Sequence, residues 1–265
     1  MKKKLFALPL LLVIAFLIFS GVRLWNENRV FDNISFFFDV SQYTASYFDE
    51  EVLFSLIFIE SNGRIKHHES NGYPLVLISE DEGEFIVSDY TIETIKAANF
   101  LSPYAIFRID VALELAAQEH KVIIFNQMEI DGHLYDIGEV IVEKIPPIDD
   151  LSFGIGATSF MSRINYLELN LVNDEVEPAL VTGVIFYLEE RRINLLENSV
   201  LLNPGETFDY RFDLSYFENI NFSIVPKIEL EFLDAPIFLR TPSAINFIDD
   251  ISKEDVIAYI EGEDN

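Results

Sequence analysis

The chain has 265 residues, 45 acidic and 18 basic, and a formal net charge of −27 at pH 7. That charge argues against nucleic acid and anionic membrane surfaces as partners, because phosphates are repelled. The lack of Cys excludes disulfides, thiol nucleophiles and zinc–thiolate sites. Half the residues are hydrophobic and 24 are Phe, so the acids decorate a chain with ample material for packed cores.

Lys2, Lys3 and Lys4 precede an uncharged run over residues 5–22, which is followed by Arg23 and Trp25. As a helix the run is roughly 27 Å long, close to the hydrocarbon thickness of a bilayer. The lysines are expected on the cytoplasmic side, Trp25 at the outer interface and the remaining chain outside. Cleavage after Ser20 or Gly21 would put Ile18 or Phe19 three residues before the cut, and no A-x-A pattern occurs. The segment therefore reads as an uncleaved anchor; a cleaved leader would give a secreted protein instead. The expected order is a basic cytoplasmic stub (1–4), a transmembrane anchor or signal segment (5–25) and an extracytoplasmic body.

Beyond residue 26 the dominant pattern is period-two alternation, the mark of half-buried strands. Strands are expected at 33–40, 52–59, 73–78, 85–87, 107–115, 122–125, 128–130 and 139–145. Turn clusters fall at 60–63 and at Asn71-Gly72, and Asp131-Gly132 suits a tight hairpin. Over 90–99 the rhythm breaks: Ile92, Ile95 and Ala98 fall at helical spacing, which predicts a short helix between strands. Pro146-Pro147 is a stiff element without ladder donors, which places a domain from 27 to 145 and a linker at 146–150.

In the second half, strands are expected at 166–173, 180–188, 199–202, 207–214, 222–225 and 227–233. This spacing of roughly 8–12 residues is that of a sandwich. Residues 201–208 read L-L-N-P-G-E-T-F; Pro204 and Gly205 permit a tight reversal and Glu206 keeps its tip soluble. With the strands on either side, residues 162–233 resemble immunoglobulin-like modules of prokaryotic surface proteins, of which CARDB-type adhesion modules are one group. The resemblance implies an Ig-like sandwich over 151–233 that acts by contact. An acidic tail follows (234–265), in which Ser252 and Asp255 suit the cap of a short helix. The fold class expected is mainly β: an N-terminal transmembrane helix, two Ig-like antiparallel β-sandwich domains with a short helical insert in the first, and a short C-terminal helix.

Sites are scarce. The four histidines, His67, His68, His120 and His133, are expected at the surface. Calcium is the one cofactor that the acidic loops would suit, through Glu80, Asp81 and Glu82 or through Asp149 and Asp150 beside the Pro pair; no D-x-D-x-D-G loop accompanies them. No G-x-S-x-G, Gly-rich phosphate loop or H-E-x-x-H is present, so no catalytic residues are assigned. With 45 acids, a carboxylate pair for polysaccharide hydrolysis carries no information by itself. The function expected is a membrane-anchored extracytoplasmic binding or scaffold protein with a protein or cell-envelope partner, a calcium-dependent binding module being one alternative and a carboxylate-dependent polysaccharide hydrolase the other.

Overall fold

The computed structural model describes residues 19–20, 29–65, 68, 72–87, 89–98, 103–115, 119–148, 151–160, 166–188, 191–213, 222–241, 245–247 and 251–262. Of the anchor expected over 5–25, all but Phe19 and Ser20 lie outside the described residues, as does the stub at 1–4. Among the described residues no helix is long and apolar enough to cross a membrane.

The architecture is mainly β and is built from several sheets. Before Pro146 the alternating segments form β1 (Ser35–Phe38), β2 (Ser41–Tyr47), β3 (Val52–Glu60), β4 (Leu75–Ser79), β5 (Gly83–Val87), β6 (Asp89–Lys96), β7 (Ala105–Leu113), β8 (Lys121–Ile130) and β9 (His133–Ile145). After it come β10 (Phe153–Phe160), β11 (Tyr166–Asn173), β12 (Ala179–Leu188), β13 (Arg191–Asn194), β14 (Val200–Leu202) and β15 (Thr207–Asp213). The series ends with β16 (Phe222–Val225), β17 (Lys227–Phe232), β18 (Ala235–Arg240), β19 (Ile245–Phe247) and a helix, α1 (Lys253–Glu261).

A four-stranded sheet in the order β1-β3-β7-β6 faces a seven-stranded one in the order β19-β16-β2-β9-β8-β4-β5. Their shared core holds Phe54, Phe58, Phe107 and Ile109 from one side and Leu77, Phe125, Val140 and Val142 from the other. A three-stranded sheet (β10-β11-β15) and a five-stranded sheet (β13-β12-β17-β18, with β14 also on β12) build the second core around Leu169, Phe186, Phe208 and Leu230. That core continues through Tyr43, Ala45, Ile141 and Ile145. Alternation explains the continuity: on β9, Val140 and Val142 point to the first core, so Ile141, Glu143 and Ile145 point to the five-stranded sheet.

Two expectations are corrected. The short helix expected within 90–99 is not formed over its described part: residues 90–96 belong to the edge strand β6, antiparallel to β7, and Asn99 lies outside the described residues. The ladder slips between Thr94 and Lys96, leaving Ile95 as an extra, exposed residue. That bulge displaces Ile95 from the Tyr90–Ile92 alternation and creates the helix-like spacing of three. The sheets are also not wholly antiparallel. β2 runs parallel to β9 (Tyr43 opposite Ile141), and β16 runs parallel to β2 (Ser223 opposite Gln42). The seven-stranded sheet thus draws on chain from both sides of residues 146–150.

Turn chemistry matches the strands it joins. Asp131 and Gly132 both adopt positive φ, 52° and 74°, which suits the twist of a two-residue hairpin between β8 and β9. Gly205, at φ 73°, closes the N-P-G-E turn, where the Glu206 carboxylate accepts from Asn203 N–H (2.9 Å) and Nδ2 (3.0 Å). At the C-terminus Ser252 caps α1: its side chain accepts from Asp255 N–H (3.1 Å), and the Asp255 carboxylate accepts from Ser252 N–H (2.6 Å). The helix docks on the four-stranded sheet and its flanks through Val256, packed with Phe31, Phe38, Ile57 and Ile59. Tyr259 stacks on Phe36, with ring centroids 4.4 Å apart.

Candidate functional site

The β9 alternation that sends Ile141 and Ile145 into an apolar layer also sends Glu143 there, with its side chain fully buried. A carboxylate in such a place needs partners, since desolvating an unpaired charge costs several kcal/mol. Three donors converge on it. Lys227 Nζ, at the start of β17, and His120 Nε2, just before β8, each lie 2.5 Å from Oε1, and Tyr43 Oη on β2 donates to Oε2 at 2.5 Å. Lys227 also contacts Glu229 (3.2 Å), which is held by Arg192 (2.7 Å). Phe238 on β18 lids the group: the His120 ring stacks on it at 5.7 Å and Lys227 Nζ lies 4.9 Å from its centre.

Burial pushes the Glu143 carboxyl up, but the hydrogen bonds from Lys227, Tyr43 and His120 and the charge of Lys227 outweigh it and hold the group below the ordinary glutamate range. Burial, with the Glu143 charge added, raises the Tyr43 hydroxyl well above its usual value. A second polar contact lies nearby. Buried Lys144 donates to Glu50 O (2.7 Å) and Ser46 Oγ (3.3 Å), and burial lowers its pKa. Arg240 on β18 pairs with Glu50 at 2.8 Å, and its N–H donates to Tyr47 Oη at 3.3 Å. Charged groups thus bind strands of the seven-stranded sheet to strands of the five-stranded one. Each member has a fixed partner, so the node joins the two sheets.

The open concavity lies elsewhere. A groove of about 370 Å3 runs between β3, β6 and β7 on one side and β2 and β16 on the other. Two cross-strand rows form one wall: Leu53, Ala112 and Asp89, then Ser55, Asp110 and Thr91. Thr44, Ser223 and Val225 form the other. Ser55 Oγ donates to Asp110 Oδ1 at 2.6 Å, and Arg108 Nε donates to Asp110 Oδ2 at 3.1 Å while its guanidinium also pairs with Glu93 at 2.5 Å.

The expected calcium residues fare differently. Glu80, Asp81 and Glu82 sit exposed on the β4–β5 turn, and Glu82 is engaged by Lys121 Nζ at 2.6 Å. Asp149 and Asp150 lie outside the described residues. Among the described residues no group of three or more His, Asp or Glu is placed to hold a metal ion. Nor are the histidines all at the surface. His68 is fully buried near the rings of Tyr73 (6.3 Å) and Tyr90 (6.1 Å), and burial lowers its pKa. His120 is exposed, as expected, with its Nε2 turned onto buried Glu143, and exposed His133 donates from Nδ1 to Asp131 O at 3.1 Å. His67 lies outside the described residues.

No protein-family model matches the chain, and no curated protein matches it. Among solved structures it is similar to dimeric latent PorU from Porphyromonas gingivalis (11% identity, TM-score 0.28). The match covers 80% of this chain, which spans only 20% of the PorU chain. It is also similar to the CupB2 chaperone of Pseudomonas aeruginosa (11% identity, TM-score 0.22, 80% of this chain and 92% of that one). A third is a DUF4785 family protein of Legionella pneumophila (9% identity, TM-score 0.23, 80% of this chain and 56% of that one). Likenesses this distant carry no inference about function.

Proposed function

We propose that the protein is a membrane-anchored extracytoplasmic binding or scaffold component of a prokaryotic cell envelope, acting by contact and not by catalysis. Lys2 to Lys4 ahead of the uncharged run at 5–22 support the address. The observation that carries the contact reading is the set of open sheet edges. β6 ends the four-stranded sheet and β5 the seven-stranded one, with no further strand beside either among the described residues. β6 is eight residues long, carries exposed Ile95 and offers its outer backbone groups to an incoming strand. In this reading the strands from β11 to β17 serve as an Ig-like module, and a protein partner adds a strand to an open edge.

The test is a photo-crosslinking residue at Ile95 in the full chain, expressed in its own membrane. The expected result is a discrete adduct, with the chain retained in the membrane pellet after alkaline extraction and its body cut by protease added from outside. Recovery in the cytosol would remove the address. A membrane-resident chain without an adduct at β6 or at a matching β5 position (Ile86) would remove strand addition.

A further inference from the structure

Two rows of side chains run along the open edge at β6. Its residues alternate across the sheet, so Asp89, Thr91 and Glu93 stand on the outer face and Tyr90 and Ile92 on the inner one. The inner pair is only partly buried and packs against the first core. The apolar layer therefore runs out to the sheet edge, where no strand closes it among the described residues. The outer row is acidic. Asp110 lies opposite Thr91 and Arg108 opposite Glu93, and Arg108 pairs with both Glu93 (2.5 Å) and Asp110 (3.1 Å). Asp89 has no ion-pair partner among the described residues, so this face sets three acids against one base. The bulge at Ile95 disrupts the ladder and confines regular pairing to 89–94.

A strand added beside β6 presents its own alternate residues to these two rows. Those beside Asp89 and Glu93 gain from a positive charge, and those beside Tyr90 and Ile92 from an apolar side chain. Asp89 and Glu93 are four residues apart, roughly 13 Å along the strand. The complementary segment thus carries Lys or Arg at i and i+4 and apolar residues at i+1 and i+3. That pattern reads the same in both directions, so it serves parallel and antiparallel addition alike. A second copy of this chain does not supply it. None of the 18 Lys and Arg residues is followed four residues later by another, and β6 laid on β6 about Thr91 would set acid against acid. We infer that β6 selects a different protein, one that offers an extended segment with basic and apolar residues alternating in this spacing. This rests on the reading of strand addition at β6 and specifies its partner.

The test titrates the full chain in detergent against three fluorescent peptides, read by anisotropy. They are S-T-K-V-T-V-K-T-S, its glutamate counterpart S-T-E-V-T-V-E-T-S, and S-T-K-K-T-V-V-T-S, a scramble of equal composition and charge. Saturable binding of the first is expected, with the scramble about tenfold weaker and the glutamate peptide unbound. Asp89→Lys together with Glu93→Lys should invert the preference between the lysine and glutamate peptides. Both positions are exposed; Asp89→Lys alone leaves the Arg108–Glu93 pair in place and should weaken the first peptide about threefold or more. Equal binding of the first peptide and its scramble is the response of a generally acidic surface and overturns the inference. So does the absence of binding, or binding indifferent to both variants. If the crosslinker at Ile95 captures a membrane partner while the peptides fail, strand addition stands and the charge pattern falls; if neither reports, both fall.

Discussion

Replacing Lys227 by Met strips the strongest donor from the Glu143 carboxylate while keeping most of the side-chain volume. Removing one partner of a buried ion pair typically costs about 3–5 kcal/mol. His120 and Tyr43 still donate, which places the expected loss at the lower end, about 3 kcal/mol. For a chain of this size about 1 kcal/mol moves Tm by roughly 2–4 °C, so the fall should be about 6–12 °C. Adding Glu143→Leu removes the stranded charge. It leaves the Tyr43 hydroxyl without an acceptor, at about 1–3 kcal/mol, yet the double variant should still be more stable than Lys227→Met alone. The pH dependence has a definite sign. The carboxyl is held below its unfolded value of about 4.3, so its stabilisation is complete above that pH and is lost as pH falls through the folded value. Without Lys227 that depression shrinks, and the stability gap between wild type and variant should close over the same acidic window. Thermal and urea unfolding of the full chain at pH 7 and through this window measures both effects. A Tm fall under about 2 °C at pH 7, or a double variant less stable than the single one, refutes the argument that Glu143 is a buried charge held by Lys227.

Two further changes read the fold. Leu233 and Asp234 join β17 to β18 with φ of 51° and 61°, a left-handed pair that Asn-Gly adopts with less strain. Leu233→Asn with Asp234→Gly should raise Tm by roughly 2–4 °C, about 1 kcal/mol; a fall would contradict the turn geometry. Tyr259→Ala removes the stack on Phe36 and the contact with Phe38. It should cost about 2 kcal/mol, less than the full-core figure because the ring is half-buried. The readout is limited proteolysis, with earlier cleavage near 250 expected and an unchanged pattern counting against the docked helix.

The strands were legible because their alternation is local. β7 reads cleanly from 107 to 113, the Asp131-Gly132 hairpin announces itself, and Ser252 with Asp255 marks the start of α1. β6 was missed because a bulge changes the period of a strand without making it a helix, and a single sequence does not distinguish a slipped alternation from a turn of helix. The parallel pairings of β2 with β9 and of β16 with β2 link residues about 100 and 180 positions apart. Nothing local encodes such partners. The groove follows from those pairings, so it was equally invisible: Thr44 looks like an ordinary strand residue until Val225 lies opposite it.

The Glu143 node did leave a trace, in β9. A strand with one wet face alternates, but a strand covered on both faces reads as a continuous apolar run. Residues 140–145 read V-I-V-E-K-I, with hydrophobic residues at both parities. That is the pattern of a central strand packed on two sides, and a charged pair inside such a run must find buried partners. Glu143 finds Lys227, His120 and Tyr43; Lys144, on the opposite parity, finds Glu50 O and Ser46. Two adjacent charges thus point to opposite sides of one sheet, and each is satisfied from a different direction. The Pro pair immediately after marks where the strand stops but not where packing stops, because Ile145 and Ile148 still contribute to the second core. The joint between the two halves is therefore specified by β9 itself, and substitutions there should be felt in both cores, whereas changes at the exposed edge residues Ile86 and Ile95 should be felt in neither.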